Sequence, residues 1–400
     1  MNTPNQKVVL AFSGGLDTSY CVKYLSQEKG LEVYSAIVNT GGFSSEELQS
    51  IEQKAYALGV KKHVCLDETT NYYQKCLRYL IYGNILRNNT YPLSVSSERI
   101  FQALAIIQYA RALNAGFVAH GSTGAGNDQV RFDLAFQVLA PDIEIITPIR
   151  DQKLSRQEEI EYLKNHGVEA DWTKSVYSIN KGLWGTSVGG KETLTSHLHL
   201  PEAAFPSQLE KHEPQTVTLL FEKGELKGIN DSLYENPVDA IRDLDALAAS
   251  YAIGRDIHVG DTIIGIKGRV GFEAAAALII IKSHQLLEKH TLSKWQIYWK
   301  EQLASWYGMF LHEALYLDPV MRNIETFLED SQQRVSGKVH VALHPYRFEL
   351  VGIESPFDLM QAKFGQYGEM NNAWSGEDVK GFTKILANSL KIYQSLDPQN

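Results

Sequence analysis

Lys7-Val8-Val9-Leu10-Ala11-Phe12-Ser13-Gly14-Gly15-Leu16-Asp17-Thr18-Ser19 decides the fold. Lys7–Phe12 is an apolar run of strand length. Asp17–Gln27 continues it as a helix, and two glycines form the turn between them. Glycine lets backbone approach an anion closely, and a helix start presents free N–H groups and the positive end of its dipole. Ser13, Thr18 and Ser19 add hydroxyl donors. The plainer alternative is a glycine turn with Asp17 capping the helix, but the whole strand–turn–helix unit favours an anion site. The chain has no GxxxxGK[ST], so this is not the Walker loop, and the G-x-G-x-x-G dinucleotide fingerprint is absent here too.

The alternation continues outward. Val33–Thr40, His63–Asp67, Phe117–Gly121 and Glu144–Ile149 read as further strands, with helices at Ser44–Leu58 and Glu98–Asn114. Such alternation predicts an α/β fold, a parallel sheet covered on both faces. Ser155-Arg156-Gln157-Glu158 is a capping box, and Gly167 stands where that helix should stop. A domain boundary is expected just beyond, giving a nucleotide-binding domain over 1–168 and an α+β domain over 169–365. Its signals are a hairpin at Thr216–Glu222 and Glu225–Ile229, proline-started helices at Asn236-Pro237 and Asp318-Pro319, and strands at Val339–Leu343 and Phe348–Gly352. The last segment, 366–400, carries an amphipathic helix at Val379–Leu396, docked either on its own domain or on another subunit.

Composition narrows the function. A net charge of −9 without a basic block disfavours a phosphate-tracking nucleic-acid binder. The longest apolar run, Ala274–Ile281, is too short to span a bilayer, which takes roughly 20 residues, and the N-terminus shows no secretory pattern. Cys21, Cys65 and Cys76 show no CxxC spacing and read as reduced thiols, so a cytoplasmic protein without membrane partner or zinc site is expected. His197 and His199 read as ordinary loop or strand residues, and no metal site is assigned.

A second constellation, Gly121-Ser122-Thr123-Gly124-Ala125-Gly126-Asn127-Asp128-Gln129-Val130-Arg131-Phe132, follows the apolar strand at Phe117. Loops after parallel strands gather at one sheet edge, so it should face the same crevice as residues 13–19. Thr123 and Asn127 suit a carboxylate and Asp128 an ammonium, a set that fits a zwitterion. Arg131 suits a carboxylate or a carbonyl. The alternative is a glycine-rich turn with a structural salt bridge.

The first loop resembles the pyrophosphate loop of the ATP pyrophosphatase superfamily. With the second, the chain resembles the argininosuccinate synthase family, as a divergent member: Ala11–Ser19 matches A-[YF]-S-G-G-L-D-T-S, and His120–Phe132 matches H-G-x-T-G-K-G-N-D-Q-V-R-F. Tyr91-Pro92-Leu93 with Ser96–Arg99, Ser178 with Ser187, Gly265–Arg269 and Gly381–Lys384 match further segments. No glutaminase segment or reactive cysteine pair appears. The resemblance implies an adenine nucleotide alpha hydrolase-like first domain and an ATP-dependent carbon–nitrogen ligase of arginine biosynthesis. It would join citrulline and aspartate through citrullyl-AMP and release AMP and pyrophosphate, with Mg²⁺ accompanying the ATP and the chain a homotetramer.

By the same resemblance Ala11, Phe12, Ser13, Gly14, Gly15, Leu16, Asp17, Thr18, Ser19, Val38 and Gly121 hold ATP. Thr123, Asn127 and Asp128 hold aspartate. Tyr91, Ser96, Asn127, Arg131, Ser178, Ser187, Gly260 and Phe272 form the citrulline pocket, and Asp17 and Arg131 are the catalytic candidates. An alternative is a related enzyme that adenylates another carbonyl, on RNA for instance.

Several positions depart from the family pattern. Ala125 replaces a lysine, Val95 a threonine and Glu98 an alanine. At the citrulline pocket a glutamate becomes Gly260 and a tyrosine becomes Phe272. These changes remove polar groups, and Gly260 adds space, so an N-acylated citrulline, which has no α-ammonium, is expected to fit. Lys181 or Lys191 would serve a succinyl carboxylate. Alternatively Glu98 or Glu192 receives the ammonium of free citrulline.

Overall fold

The computed structural model describes residues 6–170, 172, 176–361, 368 and 373–396. The expected division between 365 and 366 lies outside these residues. Five parallel strands form the first sheet: β1 (Lys7–Ala11), β2 (Glu32–Asn39), β3 (Lys62–Asp67), β4 (Phe117–Ala119) and β5 (Glu144–Ile146), in the order β3-β2-β1-β4-β5. Alternating residues of β1 serve two cores. Val9 packs with the helices Ser94–Ala112 and Asp128–Leu139, while Val8 and Leu10 pack with Leu16–Gln27 and Ser45–Leu58. This burial on both faces explains the near-continuous apolar reading of the strand. From β1 the chain builds outward to β2 and β3, then crosses back to β4. The strand order therefore reverses between β1 and β4, which is where ligands bind in open α/β sheets.

Local signals set most element boundaries. Ser44 and Ser155 close capping boxes with Glu47 and Glu158, and Asn236 and Asp318 cap helices that begin with proline. Three expectations need correction. The long helix begins at Ser94 and not at Glu98, after Leu93 at φ 61, a conformation that carries no sequence signature. The strand at Glu144 ends at Ile146, because Pro148 starts a short helix, Pro148–Gln152. The C-terminal helix is two helices, Gly376–Leu386 and Asn388–Ser395, joined at Ala387, and their apolar stripe is exposed.

The second half adds β6 (Ser178–Asn180), β7 (Thr186–Gly189), β8 (Gln215–Glu222), β9 (Glu225–Ile229), β10 (Ser232–Leu233), β11 (Arg255–Asp261), β12 (Lys267–Glu273), β13 (Gly337–His344) and β14 (Arg347–Glu354). They make two antiparallel sheets, β10-β9-β8-β13-β14 and β11-β12-β7-β6. The largest core runs through both halves, from Tyr72 and Phe101 to Leu343. Within it, Lys300 pairs with Glu288 at 2.7 Å and donates to the Tyr82 carbonyl, so the buried cation keeps a charge partner. No helix among the described residues is long and apolar enough to cross a membrane.

Candidate active site

Two loops meet where the strand order reverses. After β1, Gly14 takes φ +76, a conformation that disfavours other residues, and Lys54 Nζ donates to its carbonyl. Gly15 is the N-cap of Leu16–Gln27 and supplies no side-chain cap, which leaves the first-turn amides directed at the crevice. Thr18 and Ser19 fold their hydroxyls back onto the Gly15 carbonyl, at 3.3 and 2.7 Å, and so fix the turn. After β4, Gly121 presses on this turn: a Cβ there would lie 3.3 Å from the Asp17 backbone and side chain.

The second loop is tied in three directions. Gln129 Nε2 donates to the carbonyls of Gly124 and Gly126, at 2.6 and 3.2 Å, and closes the loop on itself. Asn127 Oδ1 accepts from the Ile263 amide at 2.8 Å, which joins the loop to the turn between β11 and β12. Asp128 bonds Arg99 Nε at 2.9 Å and Arg131 Nη1 at 3.1 Å. Arg131 also donates to the His312 carbonyl at 3.1 Å, while Arg99 reaches Asn180 Oδ1 at 3.1 Å and Gln102 Oε1 at 2.9 Å. Burial works against a charge on Asp128, but the two guanidiniums outweigh it and hold its carboxyl below the usual range.

Two cavities result. The larger, about 850 Å³, is lined by Ala11, Phe12, Ser13, Gly15, Leu16, Asp17, Thr18, Val38 and Gly121, with Thr123, Asn127, Asp128, Arg131 and Ser178. Gly14 and Ser19 stand one layer back. The smaller, about 210 Å³, is lined by Tyr91, Val95, Ser96, Asn127, Arg131, Ser187, His258, Gly260, Asp261 and His312, among others. Asn127, Arg131, Thr262 and Val270 line both, so the cavities adjoin. Ser178 thus falls in the larger cavity and apart from Ser187. Phe272 lines neither: it is fully buried, with its ring edge-on to Tyr91 at 5.4 Å.

The expectation that Gly260 adds space is corrected. A Cβ on Gly260 would lie 2.7 Å from His258 Nε2 and 3.3 Å from Asn88 Nδ2, so the imidazole already fills that position. His258 stacks on Tyr91 at 5.2 Å, and its Nδ1 is buried without a partner. Burial, with Arg87 nearby, keeps its pKa below the ordinary histidine value. Burial and Arg131 push His312 down to about 4. Neither Glu98 nor Glu192 lines the smaller cavity, and neither Lys181 nor Lys191 does. Lys181 lines the larger one, while Glu98 is sealed beneath Gly182, where a Cβ would collide with its carboxylate. His197 and His199 lie in a loop, and no group of three or more metal-binding side chains occurs among the described residues.

Arg99, Asn180, His258 and His312 belong to these cavities without having been assigned from sequence. Arg99 lay inside a matched segment. His258 and His312 carry no local signal, since they reach the cavity from a distant strand and helix end.

A model described as the arginosuccinate synthase N-terminal HUP domain matches residues 7–169, and one described as the arginosuccinate synthase C-terminal domain matches residues 177–393. The chain is 37% identical over 393 residues to argininosuccinate synthase of Dictyoglomus turgidum, covering 97% of each chain. It is 35% identical to that of Methanocaldococcus jannaschii over 364 residues, 90% of this chain and 91% of the other. It is 34% identical to that of Xanthomonas campestris over 405 residues, 98% and 99%.

Proposed function

This chain belongs to the argininosuccinate synthase family of ATP-dependent ligases, and from that premise we propose that it joins aspartate to a ureido acceptor of the citrulline type. One observation carries the reading: a nucleotide-sized cleft built on the loop at residues 13–19 adjoins a smaller pocket through Asn127 and Arg131. A ureido carbon is a poor electrophile and its oxygen a poor leaving group. In the first step the ureido oxygen attacks the α-phosphorus of MgATP, the bond to the β-phosphate breaks, and pyrophosphate leaves. The aspartate amine then attacks the ureido carbon and AMP departs with the former ureido oxygen.

In this reading residues 11–19 with Val38 and Gly121 hold MgATP, and Asp17 orients the polyphosphate. Thr123, Asn127 and Asp128 receive aspartate. Tyr91, Ser96 and Ser187 hold the acceptor with Arg131, which also steadies charge on the reacting oxygen. Ser178 serves from the nucleotide side, while Phe272 shapes the pocket by packing on Tyr91. Catalysis is then positioning plus preorganised charge. Pyrophosphate release with each substrate omitted in turn tests it. Release that needs the acceptor supports the proposal, and ADP as product refutes it.

A second reading narrows the acceptor to a citrulline acylated on its α-nitrogen. Its support is the lining of the smaller cavity: Arg131, Arg269, two imidazoles held towards neutrality, and one carboxylate, Asp261, which pairs with Lys267 at 2.6 Å. An α-ammonium would meet no unpaired carboxylate there, and burying one without a partner is costly. The ratio of kcat/KM for N-acetyl- or N-succinylcitrulline over citrulline decides it. A tenfold preference for free citrulline, about 1.4 kcal/mol, refutes the acyl reading.

The proposal includes a nucleotide-binding domain to about residue 168, a second domain beyond it, a cytoplasmic setting and a homotetramer. Three free cysteines agree with a reducing compartment. For assembly, the support is two exposed apolar faces: Phe382, Ile385, Leu386, Leu390 and Tyr393 on the C-terminal helices, and Trp295, Trp299 and Trp306 along Lys294–His312.

A further inference from the structure

We propose that Lys54 is a positioning residue for the ligase reaction: from behind the phosphate loop its ammonium grips the Gly14 carbonyl and so turns the Gly15 N–H towards the nucleotide cleft. The inference rests on the proposed binding of MgATP at residues 11–19. Lys54 lies in the helix Ser45–Leu58, and its Nζ stands 2.5 Å from the Gly14 oxygen. Ile51, three residues earlier on the same helix face, backs the same glycine: a Cβ on Gly14 would lie 3.3 Å from its Cγ1. Lys54, Ile51 and Gly14 do not line the cleft, whereas Ser13 and Gly15 do.

A trans peptide points its C=O and N–H in opposite directions, and no cis peptide bond occurs among the described residues. With the Gly14 oxygen drawn back to the helix, the Gly15 N–H faces the other way, where Ser13 Oγ accepts it at 3.4 Å. That is a long hydrogen bond, which an anion can replace. A peptide between two glycines turns over readily, because neither residue has a Cβ to resist it. Turned over, it would present its carbonyl oxygen to the polyphosphate. The grip of Lys54 thus keeps a donor at the site and an acceptor out of it. The ammonium is steadied in turn by the Trp172 ring, 4.1 Å from its centroid, and the Trp172 carbonyl accepts from Arg156 Nη2 at 2.6 Å. Burial lowers the pKa of Lys54, and no carboxylate among the described residues opposes this, so its charge is left to favour an anion at the loop.

The experiment compares the full chain with its K54M and K54R variants. Calorimetry gives the Kd of inorganic pyrophosphate with Mg²⁺, and steady-state assays separate kcat from the KM of each substrate. Methionine keeps the length of the side chain and loses the donor and the charge. K54M should raise the Kd of pyrophosphate and the KM of MgATP tenfold or more, with the KM values of aspartate and acceptor changed less than threefold. Arginine can still donate to the carbonyl and stack on Trp172, so K54R should return both nucleotide-side values to within threefold of wild type. Wild-type affinity for pyrophosphate and MgATP in K54M, or an equal loss for all substrates, overturns the proposal. Should K54M not fold, K54Q, which loses the charge, is read by the same measurements. Failure of the ligase reading is distinguishable, because wild type itself would then release no pyrophosphate from ATP.

Discussion

Replacing Glu98 by glutamine should stabilise the protein relative to wild type by an amount that grows with pH. Glu98 is 1% exposed and lies under Gly182, close to Thr40 and Leu183, and its Oε1 has no hydrogen-bond partner. Its neighbour Arg99 is engaged by Asp128, Gln102 and Asn180. Burial pushes Glu98 up to about 8, against about 4.3 for an exposed glutamate. Between these values the native state holds one proton that the unfolded chain has released. Stability linked to this group is therefore fully present below pH about 4.3 and falls by about 1.4 kcal/mol per pH unit as pH rises towards 8. From pH 5 to pH 7 the difference between E98Q and wild type should widen by about 2–3 kcal/mol, then level off above pH about 8. Urea unfolding of both proteins at pH 5, 6, 7 and 8.5, at one protein concentration, measures it, and taking the difference removes the titration that the two proteins share. A difference that stays flat from pH 5 to 7 would mean that Glu98 is ionised in the folded protein.

Three further outcomes are expected. Asp128→Asn should raise the KM for aspartate at least tenfold and that for MgATP much less, because Asp128 organises Arg99 and Arg131 beside the second loop; equal effects on both substrates would count against the assignment. Lys300→Met should cost about 3–5 kcal/mol of stability by leaving Glu288 buried and uncompensated, while activity per folded molecule is kept; urea midpoints and active-site titration measure both. Ending the chain after Gly376 should lower the native mass seen by light scattering, since it removes the exposed stripe on the last two helices; an unchanged mass would exclude that stripe from assembly.

Much of this was legible in sequence, for a physical reason. The phosphate turn and the second loop are each a dozen residues or so whose chemistry is local: apolar strand, glycines, hydroxyls, helix start. Strand–helix alternation then places both loops at one sheet edge, and Asp17 and Gly121 do touch there. What was not legible depends on distant chain. Arg131 is held by His312, and Asn127 by the amide of Ile263, contacts that only the antiparallel sheet and the end of Lys294–His312 can create. Gly260 shows why substitution is hard to read from sequence alone. Sequence tells that a side chain is missing, but not that His258, two residues away on the same strand, occupies its place. Likewise the start of the long helix at Ser94 follows a left-handed leucine, which tertiary packing imposes and no capping residue announces.

In the proposed first step the ureido oxygen of the acceptor attacks the α-phosphorus where the two cavities adjoin. Isotope transfer tests it most directly. Acceptor labelled with ¹⁸O in the ureido group is turned over with MgATP and aspartate, and the AMP and pyrophosphate are examined by mass spectrometry. One ¹⁸O in each AMP and none in pyrophosphate is expected. Unlabelled AMP, or ADP with label in inorganic phosphate, would contradict it.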